Sequence, residues 1–417
     1  MHSHIISVKI ILGENIVEGF MKKRNLLVLI IGVYSCIVTL TSCHNIVDKN
    51  NIHSSNIIIN DKKNQKEEIN ENVEKIVKFG YEGLENLLDK ESVDKKLQGV
   101  VLVAEGDEIV FAKSYGYADV EKGIENKLTT RFAIASNTKQ FTAAAIMQLV
   151  EQNKLNLNET IDKYFPEYKY GSKITVKNLL QMRSGIPDYL NEIELFMLDE
   201  ETKNILKEYE DDVYYDKYVE DDRWSSELIL KNLYLTDLMF EPNEEYDYCN
   251  TNYYLLGLII EKVSGMSFED YLNEYIFRPI LMKSSNLKPD SNDAKGHGSE
   301  DSGIIVANPK FTYSAGAIYS NIFDVFRWCR ELHKGNIVKS ESYKEMITPA
   351  DEYGYGLFIK DNLISHSGFI DGFTSNTEYD IEKDRTIIIL ENISPDMENL
   401  NAKEHTALIR DFLSESN

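Results

Sequence analysis

Residues 134–155 read IASNTKQFTAAAIMQLVEQNKL. Ser136 stands three residues before Lys139, at the start of a stretch of small and apolar residues with helical spacing. The run Phe141-Thr142-Ala143-Ala144-Ala145-Ile146 can pack tightly, so the helix belongs in a core. At i and i+3 the two side chains share a helix face. A serine hydroxyl is a weak nucleophile at neutral pH and needs a base within hydrogen-bond reach. A lysine can be that base if its pKa is depressed, or can hold a second base in its charged form. The first turn of a helix also has free backbone N–H groups suited to an oxyanion. The bland alternative is an ordinary helix start.

Ser-x-x-Lys alone is a weak signal. It recurs at Ser92 to Lys95 and at Ser285 to Lys288. Those two lie among polar residues with no small-residue helix behind them. A nucleophile must be held rigidly, which favours Ser136.

The chain has 417 residues, enough for one large domain or two small ones, and 42% of them are hydrophobic, enough for a sizeable core. A formal charge of −24 argues against nucleic-acid binding, which needs basic patches. The cysteines are Cys36, Cys43, Cys249 and Cys329, with no CxxC and no Cys/His cluster. Neither a zinc site nor a disulfide framework is expected. HExxH, GxSxG and Walker-type loops are absent, and no metal or cofactor is expected.

MKKRNLLVLIIGVYSCIVTLTSC spans Met21 to Cys43. Lys22, Lys23 and Arg24 precede an apolar run that is too short and too abruptly ended for a membrane-spanning helix. It closes on Leu40-Thr41-Ser42-Cys43, which resembles the bacterial lipobox, whose cysteine is lipidated. Residues 21–43 are thus read as a lipoprotein signal, and the body is expected outside the cytoplasmic membrane, held by acyl chains on Cys43. Residues 1–20 would bury the basic segment in the interior of the signal. Translation is therefore expected to start at Met21, and N-terminal peptide mapping tests this. Residues 44–70 are polar and rich in Asn and Lys, and read as a flexible tether.

Residues 71–417 read as one folded unit. Residues 72–90 carry Val73, Ile76, Val77, Tyr81, Leu84 and Leu87 on roughly one face, which predicts an amphipathic helix. GVVLVAEGDEIVFAKSYGYAD predicts two strands around Glu105-Gly106-Asp107. Residues from about 156 to 300 read as mostly helix and loop. TIIILEN near 386 reads as a buried strand, and AKEHTALIRDFLSES as a closing helix. Strands at both ends with helices between predict an α+β fold whose antiparallel sheet is completed by both chain ends. Residues 191–223 are strongly acidic, with Glu192, Glu194, Asp199, Glu200, Glu201, Asp211, Asp212, Asp221 and Asp222. They read as a solvated insertion, or as a cleft wall that attracts cationic substrates.

The stretch from Phe132 to Tyr168, ITVKNLLQMRSGIPDY, the Tyr248-Cys249-Asn250 segment, YSAGAIYSNIFDVFRW, YGYGLF and ISHSGFIDGFTSNTEYD follow one another in order. Together they resemble the serine β-lactamase and D-alanyl-D-alanine carboxypeptidase family, in its class C-like branch, over roughly residues 75–410. The resemblance implies a β-lactamase/transpeptidase-like fold. It implies that Ser136 is the nucleophile, and that Tyr248, alone or with Lys139, is the general base. Asn250, His366 and Gly368 would contact substrate, and the N–H groups of Ser136 and Phe369 would form the oxyanion hole. A phenol with an ordinary pKa near 10 needs roughly 4 kcal/mol from nearby positive charge to stay ionised near pH 7, and Lys139 is the source at hand.

The chain offers Tyr-x-Asn at Tyr189, Tyr248, Tyr271 and Tyr319. Tyr248 precedes the long helix NYYLLGLIIEKV, as the family's second element does. Tyr319-Ser320-Asn321 looks like a helix start capped by Ser320 or Asn321. Where β-lactamases of this branch carry Lys-Thr-Gly, this chain has His366-Ser367-Gly368, which resembles carboxypeptidase, aminopeptidase and esterase members. Asn243 replaces a customary Gly, and Asn tolerates left-handed backbone. Cys249 has no basic partner in sequence and is not read as a nucleophile. His297 reads as solvated and His333 as structural. The expected activity is hydrolysis of D-alanyl peptides or esters of peptidoglycan or teichoic-acid type. The alternatives are a class C-like β-lactamase and a sensor that is acylated without turning over.

Overall fold

The computed structural model describes residues 73–93, 97–207, 223–297, 304–305, 308–394 and 401–415. The signal, Cys43, the tether, and Asp211, Asp212, Asp221 and Asp222 lie outside the described residues.

Seven antiparallel strands form the main sheet. They are β1 (Ile76–Val77), β2 (Gly99–Glu105), β3 (Glu108–Tyr115), β4 (Phe358–Lys360), β5 (Leu363–Ile370), β6 (Phe373–Asp380) and β7 (Arg385–Glu391), in the order β1-β3-β2-β7-β6-β5-β4. The first and last parts of the domain meet at the β2–β7 pair, where Gly99 lies opposite Glu391 and Glu105 opposite Arg385. Both strands are unbroken apolar runs because both sheet faces are covered. Val100, Leu102, Ile388 and Leu390 point into the large core, whereas Val101, Val103, Ile387 and Ile389 point the other way. The second face is closed by Leu84 and Leu88 of α1 (Glu82–Val93) and by Ile409 and Leu413 of the closing helix Ala402–Glu415.

The helix expected over 72–90 starts only at Glu82. Ile76 and Val77 instead pair with Ala112 and Phe111 at the sheet edge. Gly80 at φ 94° turns the chain between them, a conformation no helix continues through. The β-branched pair then takes the pleated edge.

The large core holds α2 (Thr138–Glu151), α3 (Asn250–Ser264) and α4 (Pro309–Gly316, kinked at Tyr313). α2 packs on both of the others, and Thr138 to Met147 are all buried. α3 and α4 approach closely at Gly257, where a Cβ would fall 2.1 Å from Ser314 Oγ. α5 (Ile322–His333) covers the sheet beside α2 and starts at Asn321, whose side chain accepts the Asp324 N–H, so Asn321 and not Ser320 is the cap of the two the sequence offers. Tyr319 pairs with Ala133 in a short ladder. Asn243 has φ 75°, the left-handed backbone expected of it. Among the described residues between 156 and 297 helices and loops prevail, as expected.

Candidate active site

Ser136 sits in a 3-10 turn, Ala135–Asn137, that leads into α2. Ala135 at φ 46° is held in a sparsely populated conformation, so the surroundings must fix it. They do so through the sheet. Asn137 Nδ2 donates to Ser375 Oγ at 2.8 Å, Ser375 Oγ donates to the Ile134 carbonyl at 2.7 Å, and Thr377 Oγ1 donates to Asn137 Oδ1 at 2.9 Å. Gln140 Nε2 also donates to Asn137 Oδ1, and Trp328 Nε1 donates to Gln140 Oε1. Gly368 on β5 lets this turn come close, since a Cβ there would lie 2.4 Å from the Ile134 carbonyl oxygen.

Lys139 is fully buried. Its Nζ contacts Ser136 Oγ at 2.9 Å, Asn250 Oδ1 at 2.8 Å and the Ala315 carbonyl at 2.9 Å. Burial lowers its pKa to about 7, with Asp188 and Cys249 opposing in part. Tyr248 lies beside it, with Nζ 5.1 Å from the ring centroid. Crowding by protein pushes the phenol well above its ordinary pKa, and the Ser136 hydroxyl lowers it only in part. The expectation that Lys139 keeps Tyr248 ionised is therefore not what this packing favours. Loss of solvation outweighs the nearby amine, and it is the lysine that is brought into the range of a general base.

Asn250 opens α3 and turns Oδ1 to Lys139. Its Nδ2 donates at 2.8 Å to Asp188, a buried carboxylate that the sequence reading did not single out. One lone acid in SGIPDY carries no motif, and the contact spans 62 residues.

His366 is buried, with Nε2 3.2 Å from the Tyr353 hydroxyl and Nδ1 2.6 Å from the Ser367 carbonyl. A carbonyl only accepts, so Nδ1 carries the proton and Tyr353 donates to Nε2. Burial, then Lys139, lowers the imidazole to about 3. β4 pairs only with Leu363 to Ser365, so from His366 onward β5 borders an open cavity. That cavity holds about 490 Å³. Ser136, Tyr248, Asn250, His366 and Phe369 line it, with an apolar wall from Tyr189, Leu190, Phe311, Phe358 and Ile370. All the sequence-predicted site residues of the folded body thus meet here. Lys139 lies just beneath, and Gly368 borders the turn that carries Ser136.

The decoys fall elsewhere. Cys249 is buried and its thiol donates to the Ile186 carbonyl, 3.2 Å away. Tyr189 of the first Tyr-x-Asn reaches the cavity wall, but its hydroxyl donates to the Phe311 carbonyl. Ser285 is held by Asp324. His333 stacks on Tyr379 and bonds the Tyr343 hydroxyl, a structural role. His297 is half-buried rather than solvated, because its backbone pairs with Ile304 and its N–H reaches the Asn392 carbonyl. Among the described residues no cluster of His, Cys, Asp or Glu could hold a metal ion, and no helix is long and apolar enough to cross a membrane.

A family model described as Beta-lactamase matches residues 84–411. The chain belongs to the beta-lactamase family. This is the penicillin-binding-like group of serine hydrolases, and the α+β architecture is that of its solved members. Within the beta-lactamase family, a penicillin binding protein from Bacillus halodurans superposes with a TM-score of 0.65 at 25% identity, covering 78% of this chain and 98% of that one. A D-amino acid amidase from Ochrobactrum anthropi SV3, complexed with L-phenylalanine amide, gives 0.66 at 25% identity, covering 81% and 98%. Protein flp of Staphylococcus aureus strain MW2 is 28% identical over 332 residues, which is 73% of this chain and 62% of that protein. The chain thus spans under two thirds of the length of protein flp.

Proposed function

We propose that this protein is an extracytoplasmic hydrolase, lipid-anchored at Cys43, that cleaves D-alanyl amide or ester bonds of the cell envelope through an acyl-Ser136 intermediate. The observation that carries the chemistry is the 2.9 Å contact between Ser136 Oγ and a buried Lys139 whose pKa is near 7. In its neutral form the amine takes the Ser136 proton as Oγ bonds to the carbonyl carbon. The carbonyl oxygen gathers negative charge, which the N–H groups of Ser136 and Phe369 are suited to meet. When the C–N or C–O bond breaks, the Lys139 ammonium returns the proton to the departing amine or alcohol. Tyr248 can relay that proton. Water then enters by the same route in reverse, and Ser136 is regenerated.

The neutral imidazole of His366 bears on the substrate. No Arg or Lys is among the described residues lining the cavity. This disfavours substrates with a free carboxylate beside the scissile bond, as in a peptide ending in D-alanyl-D-alanine, and supports D-alanyl esters of teichoic-acid type and D-alanyl amides that lack that carboxylate. The likeness to a D-amino acid amidase supports the same reading. The export and lipid anchor rest on the sequence from Met21 to Cys43.

The test is intact-protein mass spectrometry of residues 71–417 with a fluorescent penicillin and with a nitrophenyl ester, against Ser136→Ala. Ester turnover that Ser136→Ala abolishes supports the proposal, and turnover that survives sinks it. Radiolabelled palmitate on cells making wild type but not Cys43→Ala supports the anchor; equal labelling rejects it.

A further inference from the structure

Asp188 is 2% exposed and, among the described residues, makes no ion pair with a Lys or Arg. Its Oδ2 accepts the Asn250 backbone N–H at 3.0 Å, Asn250 Nδ2 at 2.8 Å and Asn191 Nδ2 at 2.8 Å, while Oδ1 accepts the Leu190 N–H at 2.8 Å. A carboxylate so buried is costly unless its hydrogen bonds serve it, and these four do. They also do something else. A carboxylate only accepts, so Asn250 must turn its NH₂ toward Asp188 and its oxygen toward Lys139.

The consequence follows from counting protons on one nitrogen. A neutral amine has two N–H groups and one lone pair. Asn250 Oδ1 and the Ala315 carbonyl are both acceptors and occupy the two N–H groups. The third contact, Ser136 Oγ, is the one partner with a proton to give. Were Asn250 reversed, its NH₂ would compete with Ser136 for the lone pair.

We propose that Asp188 is a positioning residue that locks the Asn250 amide so that the Lys139 lone pair is reserved for Ser136. This role rests on the acyl-Ser136 reading above. The charge of Asp188 acts on the same amine. The titratable groups facing Lys139 are Asp188, Cys249, Tyr248, Tyr253 and His366. Those facing Asp188 also include Glu192 and Asp247, whose carboxyls are pushed up by burial and by like charge.

The experiment measures ester hydrolysis against pH for wild type, Ser136→Ala, Asp188→Asn, Asp188→Ala, Asn250→Ala and the double variant Asp188→Ala/Asn250→Ala. Asp188→Ala frees the amide, and kcat should fall roughly 10- to 100-fold with little change in KM. Asp188→Asn keeps one oxygen for Asn250 and gives up the Leu190 contact. It should recover most of kcat and move the acid limb to lower pH, because the lost negative charge no longer favours the ammonium. In the Asn250→Ala background, Asp188→Ala should add less than about twofold. Independent, additive losses, or an unmoved limb in Asp188→Asn, overturn the role. If Asp188→Ala lacks a cooperative thermal transition, the limb of Asp188→Asn decides alone. Turnover surviving in Ser136→Ala defeats the acyl-enzyme reading itself. A dead Ser136→Ala with unmoved Asp188 variants defeats only the role of Asp188.

Discussion

The Tyr353 hydroxyl donates to His366 Nε2 across 3.2 Å, and so the imidazole faces the cavity as a neutral ring with both nitrogens engaged. The position at which the resemblance sets a permanent lysine charge here carries none, and the titration that governs activity moves to Lys139.

Activity should therefore fall on acidification through about pH 7, the value to which burial lowers Lys139. Below it the ammonium has no lone pair to accept the Ser136 proton. His366, already lowered to about 3, is neutral on both sides of that limb. His366→Asn should lower kcat/KM yet leave the acid limb in place. A limb that moves by a full unit in this variant assigns the titration to the imidazole.

Replacing the base is more severe than replacing its neighbours. Lys139→Met should cost about 10²- to 10⁴-fold in kcat, the usual worth of a positioned general base. Burst-phase kinetics with a nitrophenyl ester should show the acylation step slowed. A normal burst would move the base elsewhere, with Tyr248 next in line.

Gly368→Ala tests the approach of β5 to the nucleophile. The added Cβ would meet the Ile134 carbonyl and Ser375 Oγ at 2.4 Å each and Ala135 Cβ at 3.1 Å. The turn carrying Ser136 must shift, and a 1 Å displacement of a nucleophile can cost about 100-fold in rate. Turnover at the wild-type rate would mean that the turn yields without harm.

Stability should also depend on pH through the buried imidazole of His366 and the half-buried one of His333. Both His333 and His366 are lowered to about 3 by burial, from near 6.5 unfolded. Between those values the unfolded chain binds more protons, so stability rises with pH and is lost as pH falls below about 6.5. Each group contributes a slope of about 1.4 kcal/mol per pH unit in that window. Thermal midpoints recorded from pH 7 to pH 4 should fall less steeply for His333→Gln than for wild type.

Asn321→Ala removes the cap of α5 and should cost about 1 kcal/mol, read from urea midpoints. Tyr319→Phe, in the rejected Tyr-x-Asn, should leave ester turnover unchanged. Loss of turnover with the fold intact would reopen the choice of Tyr248.

The parts legible in the sequence are those set by local pattern. The apolar runs of β2 and β7, the small-residue helix α2 and the cap at Asn321 each announce themselves within a few residues. Local pattern misled at 72–90, where apolar spacing fitted a helix but Gly80 broke it and the sheet claimed Ile76 and Val77. Asp188, Ala315 and Tyr353 were not legible because their importance comes from contacts across 62, 176 and 13 residues. A histidine is expected to hold positive charge only below about pH 6.5, but the further lowering of His366 to about 3 was not legible, since burial decides it and no residue type encodes burial.

The pairing of β2 with β7 has a consequence for how the chain comes into being. Gly99 finds Glu391 only after the long stretch between them has been synthesised. Until then β2 lacks one neighbour, and Asn137 lacks Ser375 and Thr377, which pin the nucleophile's turn. Such long-range pairings close late and slowly. A nascent chain cut short after Asp361 would hold Ser136, Lys139, Tyr248 and Asn250 and still be inert, so reactivity is withheld until β5, β6 and β7 have been made.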